Sequence, residues 1–335
     1  MEIGALFADL PRSMPGQEQL DLMLRQVEWG QEAGLTSFML AQHWVYGDIT
    51  HLQPIPLAAR LAAELAPKAR IGTAVMVAPV YHPIALAEEA ATLDIITGGR
   101  FVLGVGIGYK EDEIRAMGID PAERAARMEE ILPLLPRLWR EDRISHTGRF
   151  FRFQDVEPHI RPTSRSGPPV LVGAKMPAAV QRAARLADGW LAPSKIPFDG
   201  LEKLCDLFHQ TRRAANRPKG TITMLRQVVV DRSVDAALDR HLAMSRLRLD
   251  EYEKRSLDLS ATNPAGETRD ARFTALLGTP DDIAKRARWL SDRCGADTLI
   301  TRVAWLGMSR DQIRDEYKRL KDAVAAVAGI RNTPG

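Results

Sequence analysis

Ile71-Gly-Thr-Ala-Val-Met-Val77, Ala78-Pro-Val-Tyr-His-Pro83, a helical Ile84–Thr97, and Gly98-Gly-Arg-Phe101-Val-Leu-Gly104-Val-Gly106-Ile-Gly108-Tyr109 form one continuous stretch. Its reading decides the fold. Ile71–Val77 and Phe101–Val105 are short apolar runs without clean alternation, as expected of strands covered on both faces of a parallel sheet. An elbow at Pro79–Pro83 leads from the first into the helix, and a Gly-Gly turn leads from the helix into the second. The stretch is a βαβ unit, and the chain on either side repeats its plan.

Upstream, Ile3–Ala8 reads as a strand, and Gln17–Ala33 as a helix stopped by Gly34. Thr36–Ala41 is a strand ending in Gln42-His43-Trp44, and a Pro-started helix runs to Leu65. Downstream, Pro121–Arg140 has helical spacing, and residues 144–162 suit an extended hairpin decorating the scaffold. Strands follow at Pro168–Gly173, Gly189–Ala192, Thr221–Val230 and Thr298–Val303. Helices are expected at Pro177–Leu186, Phe198–Ala215, from Thr279-Pro280 onward, and at Arg310–Val327. Thr279 is placed as an N-cap and Pro280 at N1. Residues 232–277 read as a partly helical insertion.

Eight strands, each followed by a helix, predict an α/β fold, a (β/α)8 TIM barrel, with residues 1–335 as one domain. A doubly wound open sheet is the alternative. In a barrel, function collects at the C-terminal ends of the strands.

Composition bounds the partners. Of 335 residues, 45% are hydrophobic and 27% charged, with a net charge of +3. The basic residues are scattered among acids, so no nucleic-acid or membrane partner is expected. Two cysteines, Cys205 and Cys294, lack metal-ligand spacing and fit a reducing, cytoplasmic setting. No apolar run approaches the ~18 residues of a membrane span. No Ser-His-Asp order, metal-ligand spacing or P-loop is present, so no metal is expected.

Several strand ends carry candidate chemistry. Gly104-x-Gly106-x-Gly108 departs from the dinucleotide fingerprint because Tyr109 stands where the last glycine belongs. Gly104 suits close strand packing, whereas Gly106 and Gly108 can let a flat ligand lie against the backbone. Gly173-Ala174-Lys175 closes a strand before a helix whose free N–H groups form a phosphate site, with Lys175 either adding charge or simply solvated. His43 is placed as a general base or donor, or as a loop histidine bonded to a carbonyl. His82 is expected to brace the elbow, Arg302 to pair outward with a helix acid rather than face the pocket as an anion clamp, and Glu88-Glu89 to lie on the surface.

Together, Ala41-Gln-His-Trp44, Ile71-Gly-Thr-Ala-Val75 with Tyr81-His-Pro83, Ala87-Glu-Glu-Ala-Ala-Thr-Leu-Asp94, Gly98 through Gly108, Pro169-Val-Leu-Val-Gly173, Ala187-Asp-Gly-Trp190 and Gly278-Thr-Pro280 carry a resemblance. The chain resembles the bacterial luciferase-like family of flavin-dependent monooxygenases and oxidoreductases, in order and spacing, from residue 1 to about 328. The resemblance implies reduced FMN bound at the strand C-termini. It places a non-prolyl cis peptide at Ala74-Val75 behind the flavin ring, Gly106, Ile107, Gly108 and Tyr109 along its tail, and Gly173 and Ala174 at its phosphate. His43 matches the first histidine of the family's Glu-His-His motif, beside the reactive edge.

Four positions depart from the pattern. Gln42 replaces the acid, Trp44 the second histidine, Met176 a frequent serine of the phosphate turn, and Ile107 an arginine of some members. Weak, exchangeable flavin binding follows, suited to a flavin reductase as donor. The implied activity is oxygenation of a small organic substrate using reduced FMN and dioxygen. The alternatives are hydride transfer with coenzyme F420, and a flavin-binding protein without turnover. FMN is preferred because Tyr109 stands where many deazaflavin-using members carry an acid. Trp44, Tyr46, Met244 and Tyr252 are expected to roof a partly apolar pocket, and the family commonly forms homodimers.

Overall fold

The computed structural model describes residues 1–7, 9–44, 47, 49–254 and 271–329, with 247–254 as helical backbone alone. Eight parallel strands form its centre: β1 (Glu2–Phe7), β2 (Ser37–Leu40), β3 (Arg70–Thr73), β4 (Phe101–Gly106), β5 (Val170–Gly173), β6 (Gly189–Ala192), β7 (Thr221–Leu225) and β8 (Thr298–Arg302). Neighbours pair in chain order, β8 pairs with β1, and β4 pairs with β5, so the sheet closes on itself. An open sheet is excluded.

Closure explains the apolar runs. Every residue of β2, β4 and β6 is buried, because one face fills the barrel and the other meets helices. The surrounding helices are α1 (Gly16–Glu32), α2 (Pro54–Ala62), α3 (Pro83–Ile96), α4 (Glu111–Ala116), α5 (Arg124–Arg140), α6 (Pro177–Leu186), α7 (Phe198–Ala214), α8 (Val234–Lys254), α9 (Pro280–Cys294) and α10 (Arg310–Ala328). Thr279 and Asp282 form the expected capping box of α9. His82 caps α3 by accepting the Ile84 N–H at 3.3 Å and packs edge-on to Phe151, bracing the elbow as expected.

The third and seventh strands are shorter than their apolar runs. β3 stops at Thr73, the Ala74-Val75 peptide is cis, and pairing resumes only at Met76–Val77 against Val105 and Gly106. Where the ladder breaks, the Thr73 hydroxyl donates to the Gly104 carbonyl (2.7 Å) and accepts the Gly104 N–H (3.0 Å). A Cβ at Gly104 would lie 1.9 Å from the Thr73 carbonyl oxygen, so glycine is required there. β7 ends at Leu225, and Val228–Val230 leaves the barrel to pair in parallel with Leu276–Gly278. The insertion therefore closes before Leu276, and much of 232–254 is one helix; 255–270 lies outside the described residues.

The hairpin forms between Ile144–Thr147 and Arg152–Val156. Glu130 of α5 anchors it, accepting the Phe150 and Phe151 N–H groups at 3.0 and 2.9 Å. Glu88 and Glu89 are half-buried rather than on the surface, and burial pushes the Glu89 carboxyl above its ordinary range. A cavity of about 420 Å³ opens at the N-terminal end of the barrel, lined by residues including Met1, Glu2, Arg70 and Asp297. It is remote from the rim described next.

Candidate active site

The bulge after β3 builds the floor of the C-terminal mouth. Val75 faces two glycines on neighbouring strands: a Cβ at Gly106 would stand 2.6 Å from Val75 Cγ2, and one at Gly173 3.0 Å from Val75 Cγ1. These glycines make room for a side chain of the chain itself. Gly108 has φ +74°, and a Cβ there would meet Val77 and Ile114 at 2.9 and 3.0 Å. Gly106 therefore has a packing role as well, leaving space for the side chain of Val75. Glycine at 106 and 173 lets an apolar residue sit over the barrel axis.

His43, at the end of β2, stands beside this floor. Its Nδ1 lies 3.1 Å from both carboxylate oxygens of Glu113. The carboxylate can only accept when ionised, so Nδ1 carries the proton and Nε2 is the nitrogen turned toward Tyr109. Tyr109 Oη is 3.4 Å from Nε2, and its ring meets the imidazole edge-on at 5.3 Å. Glu113 is buried and also pairs with Lys110 Nζ at 3.4 Å. α4, between β4 and α5, is the element that returns this carboxylate to the mouth. Three acids in its first turn, Glu111, Asp112 and Glu113, suit a helix N-terminus, which was the available clue.

A second imidazole abuts the first. His51 and His43 have ring centroids 5.0 Å apart, and His51 Nε2 is 3.1 Å from Asp9 Oδ1. Burial holds the His51 imidazole below its ordinary range, outweighing the raising effect of Asp9, with the charges of His43 and Arg302 adding to the lowering. Arg302 does not point outward. It is buried, ion-paired with Asp9, and lies over Trp305 at 5.6 Å. Strand ends β1 and β8 are neighbours in the closed barrel, and a buried guanidinium needs the carboxylate found there. Two chains of contacts, Arg302–Asp9–His51 and Lys110–Glu113–His43, therefore meet imidazole to imidazole.

The remaining expected residues scatter around this centre. Ala174 N–H donates to the Leu191 carbonyl at 3.4 Å, and its carbonyl accepts Trp190 Nε1 at 2.8 Å, so the barrel already engages both groups. Lys175 is exposed beside them, and α6 begins at Pro177 without a side-chain cap. Ile107 is half-buried against the core. Trp44 packs toward Tyr81 at 6.5 Å, and His241 of α8 meets Trp305 edge-on at 5.4 Å, bringing the insertion to the rim. Met244 instead packs beside Val229, Ala237, Ala275 and Leu277, away from the expected roof. Tyr46 and the Tyr252 side chain lie outside the described residues. Among the described residues no cluster of three His, Cys, Asp or Glu could hold a metal ion. None of their helices is long and apolar enough to cross a membrane.

The closed barrel and its buried imidazole–carboxylate wall define a (β/α)8-barrel enzyme with its polar groups gathered at the strand C-termini. The chain matches the luciferase-like monooxygenase family over residues 1–326; it belongs to that family and is an oxidoreductase. It is 30% identical over 237 residues (68% of this chain, 69% of the relative) to an F420-dependent glucose-6-phosphate dehydrogenase of Microbacterium testaceum. It is 29% identical over 255 residues (73% and 69%) to the oxygenase component of a flavin-dependent trigonelline monooxygenase of Acinetobacter baylyi. The crystal structure of a monooxygenase from Streptomyces bottropensis superposes with TM-score 0.81 at 25% identity, covering 96% of this chain and 98% of that one.

Proposed function

We propose that the chain is the oxygenase of a two-component system, taking reduced FMN from a separate flavin reductase and using dioxygen to oxygenate a small organic substrate. The observation that carries the reading is the fixed His43–Glu113 pair beside the Val75 bulge. A flat ring system fits against Val75, whose methyl groups present an apolar surface backed by Gly106 and Gly173. Ala74, Val75, Gly106, Ile107, Gly108 and Tyr109 would flank the ring and its tail. Gly173, Ala174, Lys175 and the opening turn of α6 would meet the phosphate.

FMN, once reduced, supplies the electrons and the site of oxygen activation. The chain's own contribution is positioning and proton handling. Glu113 holds His43 in the tautomer that directs Nε2 toward Tyr109. Nε2 then donates to an anionic oxygen in its charged form, or accepts a proton in its neutral form. Bulky rim residues, Trp44 and Tyr109 among them, exclude water from the apolar floor. Full-length likeness to a monooxygenase, at 25% identity, supports the oxygenase reading. The reading extends to one catalytic domain, to a homodimer as the family resemblance implies, and to a cytoplasmic setting as the two free cysteines suggest.

Glu113 favours a second reading, hydride transfer with coenzyme F420. The preference for FMN rests on Tyr109 standing where many deazaflavin-using members carry an acid, yet α4 brings the Glu113 carboxylate to the mouth. A histidine backed by a carboxylate is also the base that an alcohol dehydrogenation requires, and one relative is an F420-dependent dehydrogenase. Anaerobic titration of the apoprotein with reduced FMN and with coenzyme F420 separates the two. Tighter binding of F420 overturns the oxygenase reading. Under either reading, His43→Ala keeps cofactor affinity near wild type and loses turnover; unchanged turnover removes His43 from the chemistry.

A further inference from the structure

Gln42 is buried at 2% exposure between the floor and the His43 loop. Its Oε1 accepts the Val77 N–H at 2.9 Å, just beyond the bulge. Its Nε2 donates to Tyr81 Oη at 2.6 Å and to Gln53 Oε1 at 3.2 Å. Gln53 Nε2 in turn donates to the carbonyls of His43 (3.1 Å) and His51 (3.4 Å). We propose that Gln42 and Gln53 are positioning residues, a two-amide tie that locks the main chain of His43 and His51 to the β3 bulge so that imidazole and floor keep one spacing.

The tie has a single allowed polarity. At one end a backbone N–H can only donate; at the other, two carbonyls can only accept. Working inward from either end fixes the same orientation of both amides. Gln53 is also the N-cap of α2, yet its side chain makes no capping bond and reaches back to the loop instead. Pro54 follows it at the first helical position, removing one N–H that a cap would serve. Position 53 therefore serves the histidine loop rather than the helix.

This polarity makes position 42 sensitive to charge. A carboxylate there can still accept from Val77 but cannot donate to Gln53 Oε1. The Gln53 amide must then turn over, setting its oxygen against the carbonyls of His43 and His51. A protonated carboxyl can donate once, and the tie re-forms. The tie rests only on His43 being the acting group, which both cofactor readings share.

The test uses the full-length apoprotein and hydrogen exchange by NMR at the backbone amides of His43 and His51, compared with wild type at matched pH. Gln53→Leu is expected to speed exchange there by about five- to tenfold at every pH, because the loop carrying these amides loses the bonds that Gln53 makes to its carbonyls and to Gln42. Gln42→Glu is expected to speed it at pH about 8 and to return toward wild type at pH about 5, because burial at position 42 raises the introduced carboxyl above its ordinary value of about 4.3 and lets it take its proton. Wild-type exchange for Gln42→Glu at both pH values, or an equal effect at both, overturns the tie. Failure of Gln53→Leu to fold leaves the near-isosteric Gln42→Glu to decide. Anaerobic titration of the same variants with reduced FMN is read separately, so a protein that ignores FMN but shows the exchange pattern keeps the tie and loses only the oxygenase reading.

Discussion

His43 Nδ1 stands 3.1 Å from each carboxylate oxygen of Glu113, a residue 70 positions further along the chain. The contact joins the end of β2 to the first turn of α4, and Lys110 holds the far side of the carboxylate. It selects the protonated ring nitrogen and so decides what Nε2 can do. Glu113→Gln keeps the shape and removes the charge. Turnover is expected to fall roughly 10²-fold, with cofactor affinity changed little and the ¹⁵N shifts of the His43 ring altered. A variant with wild-type turnover would show that the pair is only structural.

Acid should weaken the fold through His51. Burial keeps its imidazole below the ordinary range in the folded state, whereas the unfolded chain takes a proton near about pH 6.5. Between those two values the unfolded state binds more protons, so its population grows as pH falls. The stability is complete above about pH 6.5 and is lost as pH drops through the lower folded value. His82, also lowered by burial but much more exposed, adds a smaller part. Urea midpoints measured between about pH 7.5 and about pH 5.5 should decline less steeply in His51→Gln than in wild type.

Val75 and the two glycines beneath it set a graded prediction. Gly106→Ala puts a methyl group 2.6 Å from Val75 Cγ2, and Gly173→Ala puts one 3.0 Å from Val75 Cγ1. A β-branched side chain yields little at χ1, so Gly106→Ala is expected to cost about 1–3 kcal/mol and Gly173→Ala less. Adding Val75→Ala should recover most of the Gly106→Ala loss. Urea denaturation of the single and double variants gives the coupling, and additive effects would show that Val75 is not the obstructing group.

Arg302 and Asp9 are both buried, so removing the cation strands the anion. Arg302→Met is expected to destabilise the protein by about 3 kcal/mol. The double variant with Asp9→Asn should lose less than Arg302→Met alone, because no uncompensated charge remains. A double variant no more stable than the single one would rule out the charge argument.

The misreadings share a cause. Arg302 was expected to pair outward because, along a strand, an arginine looks the same whether it faces solvent or a carboxylate; Asp9 lies 293 residues away. Glu113 sits among other acids at a short helix start, where charge usually means a solvated turn. The packing role of Gly106 and Gly108 leaves no local trace, because the side chains facing them, Val75, Val77 and Ile114, come from other segments. The apolar run Thr221–Val230 was read as one strand because nothing local marks where it leaves the barrel for Leu276–Gly278.

The sequence by itself determined the barrel and the strand ends that form its mouth, since apolar runs, helical spacing, caps and glycine turns act over a few residues and leave local traces. It also located His43 and the bulge at Ala74-Val75, which lie in the stretches that resemble the family. Only the tertiary structure decided which polar groups meet: Glu113 with His43, Asp9 with His51 and Arg302, Gln42 with Gln53 and Val77. Closing a sheet brings distant strand ends within hydrogen-bonding reach, and buried polar groups are then fixed by the partners they find there rather than by their neighbours in the chain.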